Sequence, residues 1–220
     1  MYTWDFMLLW KYRELFVMGL GYTMYYTVLC VIFGLAIGLV LALSRLAAPR
    51  IVNMPLQLIV ELFRCTPFLV LLIWFYYAFP VLIGIDMSAS LAALLALSLY
   101  GGAFYSEIIR AGIVSIDTGQ REAAQALGMT KGQALRRIVL PQALKRMVPP
   151  LMNQSILQLK NTSLVSVLAV PDLLYQGQLV AHETYRPLEI YTVVALLYFA
   201  VLFPATILVR NYERRLAASD

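Results

Sequence analysis

The side chains best placed to do chemistry in this 220-residue chain are amides. Gln154, Gln158 and Asn161 recur at i, i+4 and i+7 in a stretch whose only charge is Lys160. At about 100° per residue from Gln154, Gln158 falls at about 40° and Asn161 at about −20°, so the three share one helix face with Thr162 and Ser155 alongside. Such a stripe can donate to a carboxylate or amide and accept from an ammonium, but offers no formal negative charge to a cation. It is either a hydrogen-bond seam between helices or the lining of a polar pathway. Lys160 is open in the same way: a pathway charge, one half of a pair, or a side chain that snorkels to the interface. Tyr100, beside Gly101 and Gly102, either adds a hydroxyl to the same cavity or packs its ring against the glycines.

Catalytic constellations are missing. The sequence holds no G-x-x-x-x-G-K-S/T, no H-E-x-x-H and no G-x-S-x-G. His182, the one histidine, falls in an expected external loop beside Glu183, where a solvated side chain is the simplest reading. Cys30 and Cys65 lack metal spacing and read as packing residues, so no cofactor or metal is expected in this chain. If ATP drives anything here, another subunit must hydrolyse it.

The elements that position these residues are membrane helices. The chain is 61% hydrophobic and 13% charged, with a mean hydropathy of +0.77, too apolar for a water-soluble domain of this length. Five stretches are apolar enough to cross a bilayer, at about 20–44, 58–83, 87–109, 149–170 and 189–210. The first carries Gly34 and Gly38, a spacing that permits close helix packing within the chain. The second is entered through Glu61 and Arg64, one turn apart and able to pair. Residues 1–14, with Trp4 and Trp10, read as an interfacial segment with no cleavable leader. The class expected is an all-α, polytopic membrane protein of a single domain.

Between the third and fourth stretches lies a polar, basic loop, about 111–147. Asp117 with Gln120 and Thr130 with Gln133 each have capping-box spacing. Glu122, Ala123 and Ala124 favour helix, Gly128 can turn left-handed and stop it, and a second amphipathic helix should run to a break at Pro141. Alanines on a short exposed helix admit another surface closely.

The spacing Glu122, Ala123, Ala124, then Gly128, then Ile138, Leu140 and Pro141 matches the EAA loop of ABC importer permeases, E-A-A-x3-G-x9-I-x-L-P. Together with ELFRCTPFLVLL (61–72), YSEIIRAGIVSIDTGQREAAQALGMT (105–130) and LPQALKRMVPPLMNQSILQLKNTSLVSVL (140–168), it makes the chain resemble the polar amino acid permeases over roughly residues 19–210. The resemblance implies a type I ABC importer permease fold and a loop that couples to an ATPase. It implies a second permease subunit, homo- or heteromeric, two ATP-binding subunits that hold the ATP and Mg, and an extracytoplasmic solute-binding protein. In similar permeases that take basic amino acids, the positions matching Gln154 and Asn161 tend to be acidic. Here they are neutral, which fits a glutamate-, aspartate- or glutamine-like cargo. A motor-independent facilitator or channel is the alternative, and it has no use for a helical dock.

Thirteen bases (Arg45, Arg50, Arg64, Arg110, Arg121, Lys131, Arg136, Arg137, Lys145, Arg146, Arg210, Arg214, Arg215) fall on one side of the expected crossings and three (Lys11, Arg13, Arg186) on the other. That bias puts the loop and C-terminus in the cytosol and the N-terminus outside a bacterial inner membrane. The net charge of +5 therefore reads as topology, with no nucleic acid partner.

Overall fold

The computed structural model describes residues 3–217. Among them the chain forms nine α-helices and no strand: α1 Met7–Ala47, α2 Arg50–Cys65, α3 Phe68–Ile83, α4 Ala89–Val114, α5 Thr118–Ala126, α6 Lys131–Ala134, α7 Leu140–Thr162, α8 Leu173–Thr184 and α9 Pro187–Ala217. A π-helical turn, Leu135–Val139, joins α6 to α7, and a 3-10 turn, Ser163–Leu168, follows α7. By length and composition α1, α4 and α9 can each cross a membrane as one helix. Two bent pairs bring the number to five if each pair is one crossing. The expected all-helical polytopic fold is the observed one.

The second crossing is where the helix pattern departs from expectation. Between α2 and α3 the chain bends by 107°. Thr66 is extended, at φ −96° and ψ 132°, because the ring of Pro67 disfavours helical backbone in the residue before it. Pro67 then opens α3, where its missing N–H costs nothing. The expected Glu61–Arg64 pair is present at 3.0 Å, on a helix turned aside from the crossing.

Pro141 does not break the chain. The π turn precedes it, with the Leu140 N–H bonding back to Leu135 O. A proline ring collides with the carbonyl four residues earlier, here that of Arg137, and the widened turn makes room so that α7 runs on through Pro149 and Pro150.

The bundle is organised on α1 against α4. A Cβ added at Gly38 would lie 2.6 Å from Tyr105 Cβ and 2.9 Å from Ser106 N, and one at Gly34 would lie 3.1 Å from the Tyr105 ring. From the other side, a Cβ at Gly102 would lie 2.7 Å from Ile37 Cγ2. The G-x-x-x-G pair is therefore an intrachain seam, in which missing side chains let two backbones meet. Cys30 is buried beside it while Cys65 is exposed, so the packing role expected of both holds for Cys30 alone. At 41 residues, α1 is about 60 Å long, twice the ~30 Å hydrocarbon core. Its first turns pack Tyr12 and Phe16 against Leu173, Val180, Ile190 and Val194 of α8 and α9.

Gly38→Ala should lower the stability of the purified protein by about 1–3 kcal/mol through overpacking. Gly21→Ala, with nothing within 4 Å of the new Cβ, should be neutral or gain up to about 1 kcal/mol of helix propensity. Thermal unfolding of both in one detergent decides it, and equal effects would remove the seam from its central place.

Candidate functional site

The amide stripe on α7 is divided by its neighbours. Gln158 is fully buried, and its Nε2 donates to Leu97 O of α4 at 2.7 Å. It fills the space left by Gly101, where a Cβ would lie 2.5 Å from that same nitrogen. This is seam geometry. Thr162 is also fully buried and returns its hydroxyl to Leu159 O at 2.6 Å. Ser155 shares a hydrogen bond with the Tyr105 hydroxyl at 2.9 Å, tying α7 to α4 a second time. Gln154 is buried, Asn161 is half-buried and Lys160 is exposed. An open face of α7 thus runs through Asn153, Leu157 and Lys160, with Asn161 at its edge.

Tyr100 does not pack against Gly101 and Gly102. Its ring sits 5.2 Å from Phe68 and 4.9 Å from Phe104, in an aromatic wall between α3 and α4. Helix phase explains the difference: neighbours in sequence project about 100° apart, so the glycines face α1 and α7 while the tyrosine faces α3.

The polar loop is built as two short helices around a left-handed glycine. Asp117 caps α5 by accepting from Gly119 N at 2.7 Å. The expected reciprocal box with Gln120 does not form, and Gln120 Oε1 instead accepts from Gln142 Nε2 at 3.4 Å. At Thr130 the box is complete, with Gln133 N donating to Thr130 Oγ1 at 3.3 Å and Thr130 N to Gln133 Oε1 at 2.9 Å. Gly128 has φ +82°, a conformation a side chain resists, and nothing lies near its missing Cβ. Within the motif, Ala124 is buried while Glu122 and Ala123 face outward, and Ile138 is half-buried with Leu140 and Pro141 exposed. Beneath them Ile116, Val139, Ala143 and Met147 form a small core with Ala42 and Ile109. Arg146 Nη1 donates to Ser115 O at 2.6 Å, so α7 also clasps the end of α4.

Two polar centres were not singled out in the sequence. Arg45, 6% exposed, donates to Glu107 at 2.8 Å and to Asn53 at 3.4 Å, while Arg110 pairs with the same carboxylate. This joins α1, α2 and α4 at one end of the seam. Asp172, fully buried, caps α8 by accepting from Tyr175 N at 2.9 Å and Leu174 N at 3.3 Å. It also accepts from the Tyr198 hydroxyl of α9 at 3.2 Å, and Leu173 N beside it donates to Thr23 of α1 at 3.1 Å. An aspartate directly before a helical run is a start signal, and its use here identifies Asp172 as the residue that gathers α1, α8 and α9. His182 lies on α8, exposed near its end, where the sequence suggested a loop.

The arrangement combines helices long and apolar enough to cross a membrane with a short braced surface helix and an open polar face on α7. Residues 34–218 match the family of binding-protein-dependent transport system inner membrane components. The Escherichia coli K12 glutamine transport system permease protein GlnP is 34% identical over 213 residues, which cover 96% of this chain and 97% of that protein. A chain from the crystal structure of an amino acid ABC transporter with histidines is 37% identical, covers 97% of this chain and 100% of its own length, and superposes with a TM-score of 0.90. A chain of the inward-facing MetNI methionine ABC transporter shares the fold at 23% identity, with a TM-score of 0.71 over 95% of this chain and 99% of that one. The chain belongs to the family of binding-protein-dependent transport system inner membrane components. It is a multi-pass permease component, and its likeness to polar amino acid ABC permeases is borne out by these relatives.

Proposed function

We propose that this chain is the permease subunit of an ATP-driven importer of polar amino acids, coupled to its motor through α5. Support for the coupling comes foremost from the stance of that helix: Ala124 buried, Glu122 and Ala123 turned out, and a left-handed Gly128 ending the element. A short helix with one buried alanine and a bare outer face suits a groove in a rigid partner. In this reading the partners are a second permease subunit, two ATP-binding subunits carrying ATP and Mg, and an extracytoplasmic binding protein. The bias of bases supports a cytosolic α5 and C-terminus with the N-terminus outside. A cysteine placed at Asp117 should be closed to a membrane-impermeant maleimide in intact cells and open after lysis. Labelling from outside would reverse the topology.

The cargo best supported is glutamine-like, neutral or acidic in preference to basic. The similar E. coli protein is a glutamine permease, and the open face of α7 offers an amide at Asn161 and a cation at Lys160 with no carboxylate among its residues. Changing Gln154 to Glu and Asn161 to Asp together should depress uptake of acidic and neutral amino acids and ease that of basic ones, by placing negative charge in a low-dielectric path. Gln158→Leu serves as the contrast: it removes a seam bond worth about 1 kcal/mol and should lower thermal stability with selectivity unchanged. Competition uptake in proteoliposomes, with binding proteins exchanged, separates the two. Unaltered selectivity in the double variant would reduce Gln154 and Asn161 to packing residues.

Gly128→Val should uncouple the subunit, since a β-branched residue is strained at φ +82°. The variant is expected to reach the membrane with transport and stimulated ATP hydrolysis both reduced. Wild-type values of both would argue against docking through α5.

A further inference from the structure

Where α7 enters its crossing and α9 leaves its own, the two helices part around a cleft of about 500 Å³. Its lining includes Gln142, Lys145, Arg146, Pro149 and Pro150 of α7 and Glu213 of α9. The depth follows from the sequence. On α9 the apolar run ends at Val209 and Arg210 begins the charged tail, while on α7 the run begins at Pro149. Lys145, Arg146 and Glu213 thus stand at the level of lipid headgroups. Lys145 is exposed and makes no ion pair among the described residues, and Arg146 commits only Nη1, to Ser115. Deeper along the same two helices lies a groove of about 280 Å³ whose walls are mainly apolar, among them Met152, Ile156 and Leu159 of α7 and Ala205 and Leu208 of α9. Asn153 Nδ2 donates to Glu213 Oε1 at 3.2 Å and bridges the helices beside the cleft.

We propose that this cleft and groove bind one anionic phospholipid, with its phosphate between Lys145 and Arg146 and an acyl chain along Met152, Ile156 and Leu159. A basic mouth at headgroup depth with an apolar groove beneath matches the two ends of that molecule and no soluble anion. Glu213 at the rim can accept from the hydroxyls of a glycerol headgroup, while the preference for net negative charge comes from Lys145 and Arg146. Pro149 and Pro150 have no N–H for the carbonyls of Lys145 and Arg146, leaving acceptors beside the cleft for such donors. The site lies on the helix that continues from the coupling loop, so an occupied cleft would brace α7 against α9.

With the orientation proposed above the cleft opens to the cytoplasmic leaflet, and the test is chosen to be blind to that orientation. The detergent-solubilised complex containing this chain is examined by native mass spectrometry after exposure to phosphatidylglycerol or phosphatidylcholine with identical chains. Preferential retention of phosphatidylglycerol is expected, falling about fivefold in Lys145→Gln, the loss of one charge near a headgroup. Met152→Trp, which fills the groove and leaves the cationic mouth, should also lower retention. Equal retention of the two lipids, or no change in Lys145→Gln, would overturn the proposal. Displacement of the lipid by inorganic phosphate as readily as by short-chain phosphatidylglycerol would overturn it too, by showing an ion site. A reversed topology appears only in the maleimide experiment and leaves these results unchanged.

Discussion

The close approach of α1 and α4 is the constraint on which the rest depends. In hydrocarbon, apolar side chains gain little by leaving lipid for one another, so helices are held by shape and by polar bonds. Gly34, Gly38 and Gly102 let two backbones come near enough that Tyr105 lies across the seam. The same side chain then reaches Ser155 of α7. Gln158, seated over Gly101, adds the second polar tie from α7 to α4. Three helices are thereby locked by absent side chains and a few hydrogen bonds.

Each end of this frame is finished by charge. At one end Arg45, Asn53, Glu107 and Arg110 join α1, α2 and α4 and fix the first turns of the amphipathic α2, at the far end of that helix from its 107° turn into α3. At the other, Asp172 caps α8 and holds α9 through Tyr198. A buried charge is stable only when its lone pairs and protons are met, and both centres meet that condition with partners from their own helix and from another. The consequence is mechanical. The loop carrying α5 springs from α4 and returns into α7, both tied to the frame, and this is the connection that the proposed coupling through α5 would use.

How much of this was legible in the sequence depends on whether a feature is local. Charge-free runs and the spacing from Glu122 to Pro141 are local, and they imply a polytopic helical protein with a helical surface element. The capping box at Thr130 and the left-handed Gly128 were readable for the same reason. The stripe on α7 was legible as a phase but not as an environment. Periodicity places Gln154, Gln158 and Asn161 on one side of a helix, while only the packing shows α4 covering Gln158 and leaving Lys160 open. Pro67 and Pro141 mark the limit from the other side. Both are breakers by rule, yet one produced a sharp bend and the other was absorbed by a π turn, and the choice belongs to the partners of each segment.

The claim that matters most is that motion of a motor is transmitted through this chain to a polar amino acid. Its most direct test is uptake of radiolabelled glutamine into proteoliposomes holding the assembled complex, with ATP and the binding protein supplied or withheld on their proper sides. The account predicts accumulation against a gradient only when both are present. Equilibration of glutamine without ATP, at a rate that ATP does not change, would contradict it and leave a facilitator in its place.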